Sequence, residues 1–523
     1  MTTTQPTSQP TFGNLRKPRR AGLNSLSFGA TALLFGGLLG FILLSITPGL
    51  GLAPAGLWLL AALVLVALLQ IRDADELTVL HKVHRRTAAR RARRAGSNLY
   101  RAGLLGVVPG RTAQLPGLAA GSTLAEGWDS YGRRFALLHH PSTGDYVAVF
   151  AVEPDGYALV DPWEINSRVA HWGAFLASLG DEPGLQSCAV TVETAPDTGS
   201  RLRRSVEQAI DPDSPPIARA MLSEVVARYP TGSAVIRGYV TLTFAAAVRS
   251  GGKKRSTEEV VRDLAARLPK LSDRLQFTGA GAVRPVTAEE LCEVVRVAYD
   301  PAAAAVIEEA RAHGDPLELR WDEIGPTTHQ AEWDYYFHDG AVSVTWGMTA
   351  PPRGVFHSNV LADLLAPHTD IARKRVTLLY ETLPAAKAAD AVQRDVNDAD
   401  FRVSSAVRPS ARVRTEAAAA SKAADEEAAG AGVVNVGMLV TATVVDPGLA
   451  PGERVGKRNR TREERLAAAL DDAIAAVDSL AAGSRIRLRK QYNAQDSGFA
   501  AALPLGLNLE RHLALPAAVR EAL

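Results

Sequence analysis

Residues 28–47 (FGATALLFGGLLGFILLSIT) and residues 51–71 (GLAPAGLWLLAALVLVALLQI) form the most apolar part of the chain, and Ala21–Ile71 contains no Asp, Glu, Lys or Arg. Each segment reaches about 20 residues, which as a helix matches a hydrocarbon core roughly 30 Å thick. Because lipid offers no hydrogen-bond partners to the backbone, such runs are expected to be helical. The sequence therefore predicts a two-helix transmembrane hairpin over residues 28–71, and a pair of helices buried in a large core is the alternative.

Basic residues flank this apolar region on both sides and are absent from the short turn Pro48–Leu50. Since Lys and Arg concentrate in the cytoplasmic flanks of membrane helices, the pattern predicts that both termini face the cytoplasm. The expected location is the cell (cytoplasmic) membrane, crossed by two spans. The flanking residues are Arg16, Lys17, Arg19 and Arg20 before the first segment and Arg72 after the second.

A strongly basic segment follows, and the pattern predicts a helix from Glu76 to Ala95. Its side chains are suited to anionic lipid headgroups, at about 1 kcal/mol for each basic residue near the surface. Nucleic acid is the alternative ligand, but no interleaved aromatic residues or recognisable binding fold accompany the basic residues, so direct nucleic-acid binding is not expected. The predicted membrane-surface residues are Lys82, Arg85, Arg86, Arg90, Arg91, Arg93 and Arg94.

The chain as a whole is nearly neutral, with Lys+Arg 58 against Asp+Glu 56, so its basic character is local. The only cysteines are Cys188 and Cys292, which suits a reducing compartment and excludes a disulfide scaffold or a cysteine-rich metal site. Residues 1–27 are predicted to be a disordered cytoplasmic tail, because they begin with a polar stretch that cannot bury enough apolar surface to fold. Residues 72–120 are assigned to the basic juxtamembrane helix and a linker.

From Arg133 onward, short strands alternate with helices, and the order of elements in the second half resembles that in the first. The predicted fold class is α+β, with the transmembrane hairpin followed by two α+β subdomains, residues 121–318 and 319–523, whose sheets are mostly antiparallel. The predicted strands are 135–139, 145–152, 186–193, 233–248, 275–283, 332–337, 341–348, 375–382, 433–445 and 484–490, and the predicted helices are 162–179, 216–229, 257–271, one from 287, 359–365, 385–429 with a break near 397–407, and 461–480.

No complete catalytic or cofactor-binding motif occurs in the sequence. The nearest approach to a phosphate-binding loop is Ser250–Thr257, but Lys254 stands where the motif requires a hydroxyl, and Gly456–Arg458 fails in the same way. His139 and His140 are interpreted as structural residues at a strand end. The sequence therefore predicts a protein that is not an enzyme and that holds no cofactor or metal.

Several segments resemble the N-terminal, non-motor domain of conjugative type IV secretion ATPases. They are FALLHHPSTGDYVAVFAVEPDGYALVDPWEINSRVAHWGAFLASLGDEPG (Phe135–Gly184), VTLTFAAA (Val240–Ala247), YDP (Tyr299–Pro301) and QYNAQDSGFAAALPLG (Gln491–Gly506). The apolar hairpin is similar to the small two-span, PrgI-like inner-membrane subunit that neighbours that ATPase. Together the likeness extends from about residue 24 to residue 506 and is typical of proteins encoded in actinobacterial conjugative-element clusters.

The resemblance implies an inner-membrane subunit of a conjugative type IV-like secretion or DNA-transfer machine, which anchors and docks a separate ATPase. Other secretion-channel subunits and an oligomeric assembly are the further partners it implies. A motor domain follows this region in the ATPases, but no nucleotide-binding residue carries over to this chain. Trp321, Trp333, Tyr335 and Tyr336 are candidate docking residues, provided that they are exposed.

Two other functions stay open at this point. A type VII secretion core membrane component would share the topology of a hairpin followed by a cytosolic domain. A membrane-tethered enzyme such as a glycosyltransferase would need a D-x-D metal motif, and Asp211-Pro212-Asp213 has that form. The proline-rich residues Ser214–Pro216 that follow predict a turn there instead.

Overall fold

A computed structural model gives the fold of the chain as an α+β protein with a large antiparallel sheet. By its contacts the chain divides into two compact units: Leu99–Asn508 with Met1–Arg16, and Lys17–Asn98 with Leu509–Leu523. The structure describes residues 12–13, 28–47, 52–70, 79–103, 106, 112–156, 159–197, 199–211, 213–228, 234–246, 255–315, 317–352, 355–406, 408–430, 432–446 and 461–512.

The strands of the described residues belong to the larger unit. They are β1 (Phe12–Gly13), β2 (Leu99–Arg101), β3 (Thr123–Trp128), β4 (Arg134–His140), β5 (Asp145–Glu153), β6 (Leu185–Pro196), β7 (Ala234–Ala245), β8 (Ala282–Pro285), β9 (Thr328–Ala331), β10 (Tyr336–His338), β11 (Ala341–Ala350), β12 (Val355–Phe356), β13 (Arg373–Thr382), β14 (Val434–Val445) and β15 (Arg487–Lys490).

The α-helices of the described residues include three in the smaller unit and eleven in the larger one. They are α1 (Phe28–Ile46), α2 (Leu52–Gln70), α3 (Val79–Ala95), α4 (Pro162–Gly180), α5 (Ser200–Ala209), α6 (Pro216–Arg228), α7 (Thr257–Leu275), α8 (Ala288–Tyr299), α9 (Ala303–His313), α10 (Ala362–Leu365), α11 (Ala385–Ser404), α12 (Ala411–Ala428), α13 (Arg462–Gly483) and α14 (Gln495–Ala501).

Several helix starts follow from local chemistry. Three helices begin with a cap whose hydroxyl accepts a hydrogen bond from the backbone N–H three residues later, and the glutamate at that later position accepts one from the backbone N–H of the cap; the caps are Ser256, Thr287 and Thr461. Such capping boxes satisfy N–H groups that the first helical turn leaves unpaired. The helices predicted over 257–271 and from 287 correspond to α7, which is capped by Ser256, and α8, which is capped by Thr287.

The sheet consists of two halves with the same topology. The strand order is β2-β9-β10-β11-β14-β13-β6-β7-β5-β4-β3, with β8 added to β5 and β15 added to β11. Strands β3 to β8 form the N-terminal half, in the order β3-β4-β5-β7-β6 with β8 beside β5. Strands β9 to β11 and β13 to β15 form the C-terminal half, in the equivalent order β9-β10-β11-β14-β13 with β15 beside β11, and β2 is added to β9. The halves join where β6 pairs with β13, so residues assigned to both predicted subdomains share one sheet.

One face of this sheet, which we call the apolar face, carries the hydrophobic core. In the N-terminal half, α4 and α7 cover it, with Phe175 and Leu268 packed on the strands. In the C-terminal half, α10 and α13 cover it, with Leu364 and Val477 in the corresponding position. Side chains alternate between the two faces of a strand, so the intervening residues form a second, buried face of different character.

The apolar segments near the N-terminus form helices, but the predicted transmembrane hairpin is wrong. Helices α1 and α2 pack against each other, with Gly37 facing Ala62 and Gly40 facing the indole of Trp58. No helix in the part of the chain that the structure describes has both the length and the apolar character needed to cross a membrane. The predicted location in the membrane with two spans is therefore also wrong.

Three segments considered in the sequence analysis fall wholly or largely outside the described residues. The turn Pro48–Leu50 and most of the tail 1–27 lie outside them, as does Gly456–Arg458. Of the tail, Phe12–Gly13 forms β1, which pairs with β12.

Candidate interaction surfaces

The predicted membrane-surface residues all lie on α3. Lys82 and Arg85 are half-buried, and burial lowers the pKa of Arg85. The other five basic residues are exposed, so the helix presents a dense positive surface: Arg86, Arg90, Arg91, Arg93 and Arg94. The helix ends at Ala95, and the left-handed conformation of Gly96 directs the N–H of Ser97 back to the carbonyl of Ala92. The lipid-binding role of this helix stays a prediction.

The face of the sheet opposite the apolar face, which we call the polar face, is lined by buried hydroxyl and charged side chains. Neighbouring strands bring hydroxyl groups into contact across the sheet, with Thr345 Oγ1 lying 3.0 Å from Thr441 Oγ1 and Ser343 Oγ 2.7 Å from Thr443 Oγ1. All four side chains are fully or almost fully buried. Buried polar groups are tolerated when they are hydrogen-bonded, so this face is a structural network of the sheet.

His338 anchors one end of this network. Its Nδ1 lies 2.5 Å from the carbonyl oxygen of Tyr299, and its Nε2 lies 2.8 Å from Ser343 Oγ. A carbonyl only accepts, so Nδ1 carries the proton and donates, and the neutral Nε2 accepts from the Ser343 hydroxyl. Burial lowers the pKa of His338 to about 4, which agrees with a neutral ring.

The closing segment, residues 495–507, covers the polar face of both halves. Three of its carbonyl oxygens accept hydrogen bonds from the sheet: that of Ala502 from Thr377 Oγ1, that of Leu505 from His140 Nε2, and that of Gly506 from Thr243 Oγ1. Buried backbone groups without a ladder partner need such donors. His140 therefore acts as a structural residue.

A charged cluster lies beside the junction of the two halves. Arg373 donates a hydrogen bond to Glu193, and Arg375 Nε lies 3.5 Å from Glu193 Oε2. Burial raises the pKa of Glu193, but the charges of Arg375 and Arg373 outweigh it and hold the pKa at about 2. Arg375 also stacks on Phe499, 5.5 Å from the ring centre. The cluster is closed to solvent, since all three charged side chains are buried.

The other candidate residues do not converge into a catalytic site. Asp211 and Asp213 form an exposed turn in which Asp211 Oδ1 accepts from the N–H of Asp213. Residues 250–254 of the near-match to a phosphate-binding loop lie outside the described residues, and Ser256 within it serves as the cap of α7. Among the residues that the structure describes, no group of three or more His, Cys, Asp or Glu side chains is placed to hold a metal ion.

The four aromatic residues considered for docking are not freely exposed. Tyr336 is fully buried, and Trp321, Trp333 and Tyr335 are half-buried. Trp321 donates through Nε1 to the carbonyl of Ser122, and Trp333 stacks on Tyr492 at 5.4 Å. These contacts give the aromatic residues a packing role.

Sequence analysis did not single out the apolar side of α6 as a docking surface. None of its residues is buried, and Ile217, Met221 and Val225 are 72%, 63% and 49% exposed. Their spacing of four residues places them on one side of the helix, which we call the α6 stripe. The signal was present in the sequence as an i, i+4, i+8 pattern of apolar residues, but such a pattern equally predicts packing against the body.

Comparison with known families and proteins adds no assignment: no family model matches the chain, and no curated protein matches it.

Proposed function

We propose that this chain is a non-enzymatic docking subunit of a conjugative type IV-like secretion or DNA-transfer machine, and that it binds a separate ATPase. The observation that carries the proposal is the α6 stripe. It lies on a helix of 13 residues in which no side chain is buried. Isolated helices of this length are marginal in water. An exposed helix that carries such a stripe is therefore suited to the groove of a partner protein.

The composition of the stripe fits a protein partner. Met221 lies between Ile217 and Val225, and its unbranched, polarizable side chain adapts to irregular surfaces. Interfaces of standard size bury about 1,600 Å² in total, and a few central residues supply most of the binding energy. The α6 stripe provides such a centre, and the remaining contacts come from its surroundings.

The sequence resemblance supports an ATPase as that partner. Phe135–Gly184 and Gln491–Gly506 resemble the non-motor domain of type IV secretion ATPases, in which this domain and the motor work together. These 523 residues contain no complete phosphate-binding loop. The resemblance to a domain that works together with a motor favours a motor ATPase as the partner of this chain.

The test is copurification of the full chain with a secretion ATPase encoded beside it. Met221→Glu places a charge in the stripe and is expected to abolish association. Ser223→Glu places the same charge on the other side of α6 and is the matched control, which is expected to bind as the parent does. Copurification with a type VII ATPase instead would favour the alternative machine. ATP hydrolysis by the chain alone, or no association in any nucleotide state, would contradict the proposal.

A further inference from the structure

Strand β3 forms a free edge of the large sheet. It is the last strand of the sheet order, and within the described residues its ladder is formed with β4 alone. In an antiparallel pair, every second residue directs its N–H and C=O groups away from the partner strand. An unpaired edge of this kind is a template for a further strand. The six residues of β3 span about 20 Å, enough for a peptide of similar length.

An open groove of about 620 Å³ runs beside this edge. Its walls are β3, the first turns of α8 and residues 317–322, and its volume lies within the range of about 300–1,000 Å³ that ligand-binding clefts occupy. In the last of these walls, half-buried apolar residues alternate with exposed charged ones. The half-buried residues are Leu317, Leu319 and Trp321, which give the groove an apolar floor.

The groove is also acidic. Its lining contains one guanidinium, that of Arg320, and four carboxylates, those of Glu126, Glu289, Glu318 and Asp322.

Two of these carboxylates already have partners. Glu126 accepts a hydrogen bond from the N–H of Ala288 and pairs with Arg134, and Asp322 pairs with Arg320. Glu289 and Glu318 are exposed, and among the described residues neither forms an ion pair. The groove therefore presents two carboxylates to a ligand, one from α8 and one from residues 317–322.

We propose that this groove binds an extended, basic peptide segment of a partner protein by strand addition to β3. The main chain of the peptide pairs with the free edge, which supplies affinity without sequence preference. Side chains of a strand alternate between its two sides, so basic residues at every second position meet Glu289 and Glu318 while apolar residues pack on Leu319. The site uses none of the residues of the α6 stripe and does not depend on which ATPase binds there.

The probe is a fluorescein-labelled octapeptide of alternating lysine and valine, titrated into the full chain and followed by fluorescence anisotropy. It is expected to bind, whereas the same peptide with glutamate in place of lysine is not. A third peptide replaces the valines by proline, which keeps the charge but removes alternate N–H donors. If the backbone pairs with β3, the proline peptide loses binding; equal binding by the proline peptide would show that charge alone acts and would overturn the proposal.

Variants of the protein locate the site. Glu289→Lys with Glu318→Lys is expected to weaken binding of the lysine peptide roughly tenfold or more, because two attractions become repulsions. The matched control is Glu207→Lys with Glu309→Lys, which makes the same change in net charge at two exposed positions on α5 and α9. Both double variants carry only exposed substitutions and should fold. Equal affinity of the two double variants would refute the site.

Discussion

Thr191 Oγ1 lies 3.1 Å from Thr377 Oγ1, and this contact marks the centre of the sheet. Thr191 on β6 pairs directly with Thr377 on β13, and these two strands occupy equivalent places in the two halves. Thr377 donates its proton to the carbonyl of Ala502, so Thr191 is the donor between the two hydroxyls. One chain of hydrogen bonds thus connects the N-terminal half, the C-terminal half and the closing segment.

Removing the hydroxyl of Thr377 should lower the free energy of unfolding more than removing the hydroxyl of Thr191. Thr377→Val leaves the Ala502 carbonyl and the Thr191 hydroxyl without partners, which is expected to destabilise the protein by about 1–3 kcal/mol. The double variant Thr191→Val,Thr377→Val has no Thr191 hydroxyl to leave unpaired. Its loss of unfolding free energy should therefore be smaller than the sum of the losses in the two single variants. Urea unfolding of all three variants measures this, with the exposed Thr415→Val as control. Additive losses would show that the two hydroxyls do not act together.

Glu193 is expected to be the main electrostatic determinant of stability at the junction of the halves. Glu193→Gln leaves Arg373 and Arg375 buried without their counter-charge, and removing one partner of a buried pair typically costs about 3–5 kcal/mol. The exposed Glu207→Gln should have almost no effect. Thermal or urea unfolding at neutral pH distinguishes the two variants, and a loss as small as that of the control would contradict the assigned pairing.

The same carboxylate predicts a loss of stability in acid. The pKa of Glu193 is about 2 in the folded chain against an ordinary value of 4.5. Because the folded value is the lower one, the stabilisation is complete above about pH 4.5 and is lost as the pH falls toward 2, by about 3 kcal/mol in total. Unfolding free energies measured between pH 5 and pH 3 should decrease in the parent and less steeply in Glu193→Gln.

His338 predicts a second acid-sensitive range at higher pH. Burial lowers its pKa from 6.5 to about 4, so folding favours the neutral ring. The stabilisation is therefore complete above pH 6.5 and is lost as the pH falls toward 4, by about 2 kcal/mol between pH 7 and pH 5. Burial also lowers the pKa of His329 to about 4, so His329 contributes to the same loss of stability in acid. The variant His338→Gln should therefore keep part of the pH dependence of stability. An NMR titration showing His338 protonated at pH 5.5 in the folded chain would contradict the prediction.

The order of most strands and helices could be predicted from the sequence because their patterns are local. The predicted strand 233–248 corresponds to β7, and the predicted break in the helix 385–429 corresponds to the gap between α11 and α12. Helices α5 and α9 were missed, as was β3, a half-exposed edge strand with weak alternation. The strand predicted over 275–283 is in its first part a π-turn, in which Gly279 has φ +82°.

The joining of the halves could not be predicted, because it depends on long-range pairing. Thr191 and Thr377 are 186 residues apart, and no local pattern indicates their contact. The sequence carried one signal for the buried charges: Arg373, Lys374 and Arg375 begin a strand that is otherwise rich in β-branched and apolar residues, and Arg375 lies within the predicted strand 375–382. A charged residue in a strand that is otherwise apolar indicates a buried ionic partner. The α6 stripe and the β3 groove could not be recognised either, because recognising them depends on which side chains are exposed in the folded chain.

Gly506 offers a test of how tightly the closing segment fits the polar face. It has φ +64°, and a Cβ there would lie 2.6 Å from Thr243 Oγ1 and 2.7 Å from Val147 Cγ2. Gly132 has a similar φ of +74° but open space around the position. Both substitutions strain the backbone, but only Gly506→Ala also overpacks the site. It should therefore destabilise the protein by about 1–3 kcal/mol more than Gly132→Ala does. Equal losses in urea unfolding would show that the segment yields to the added methyl.

The basic surface of α3 leads to the last prediction. Changing Arg90, Arg91, Arg93 and Arg94 to Gln removes four exposed charges, and each is expected to contribute about 1 kcal/mol to attraction by an anionic lipid surface. The full-length variant should cosediment more weakly than the parent with vesicles containing phosphatidylserine. Added salt should weaken the parent most, since it screens exposed charges over about 10 Å at 0.1 M. The control changes four exposed arginines elsewhere, Arg203, Arg219, Arg228 and Arg320, to Gln, with the same change in net charge. If both fourfold variants lose binding equally, net charge and not the α3 surface is responsible, and undiminished binding of the α3 variant would exclude these arginines as a lipid site.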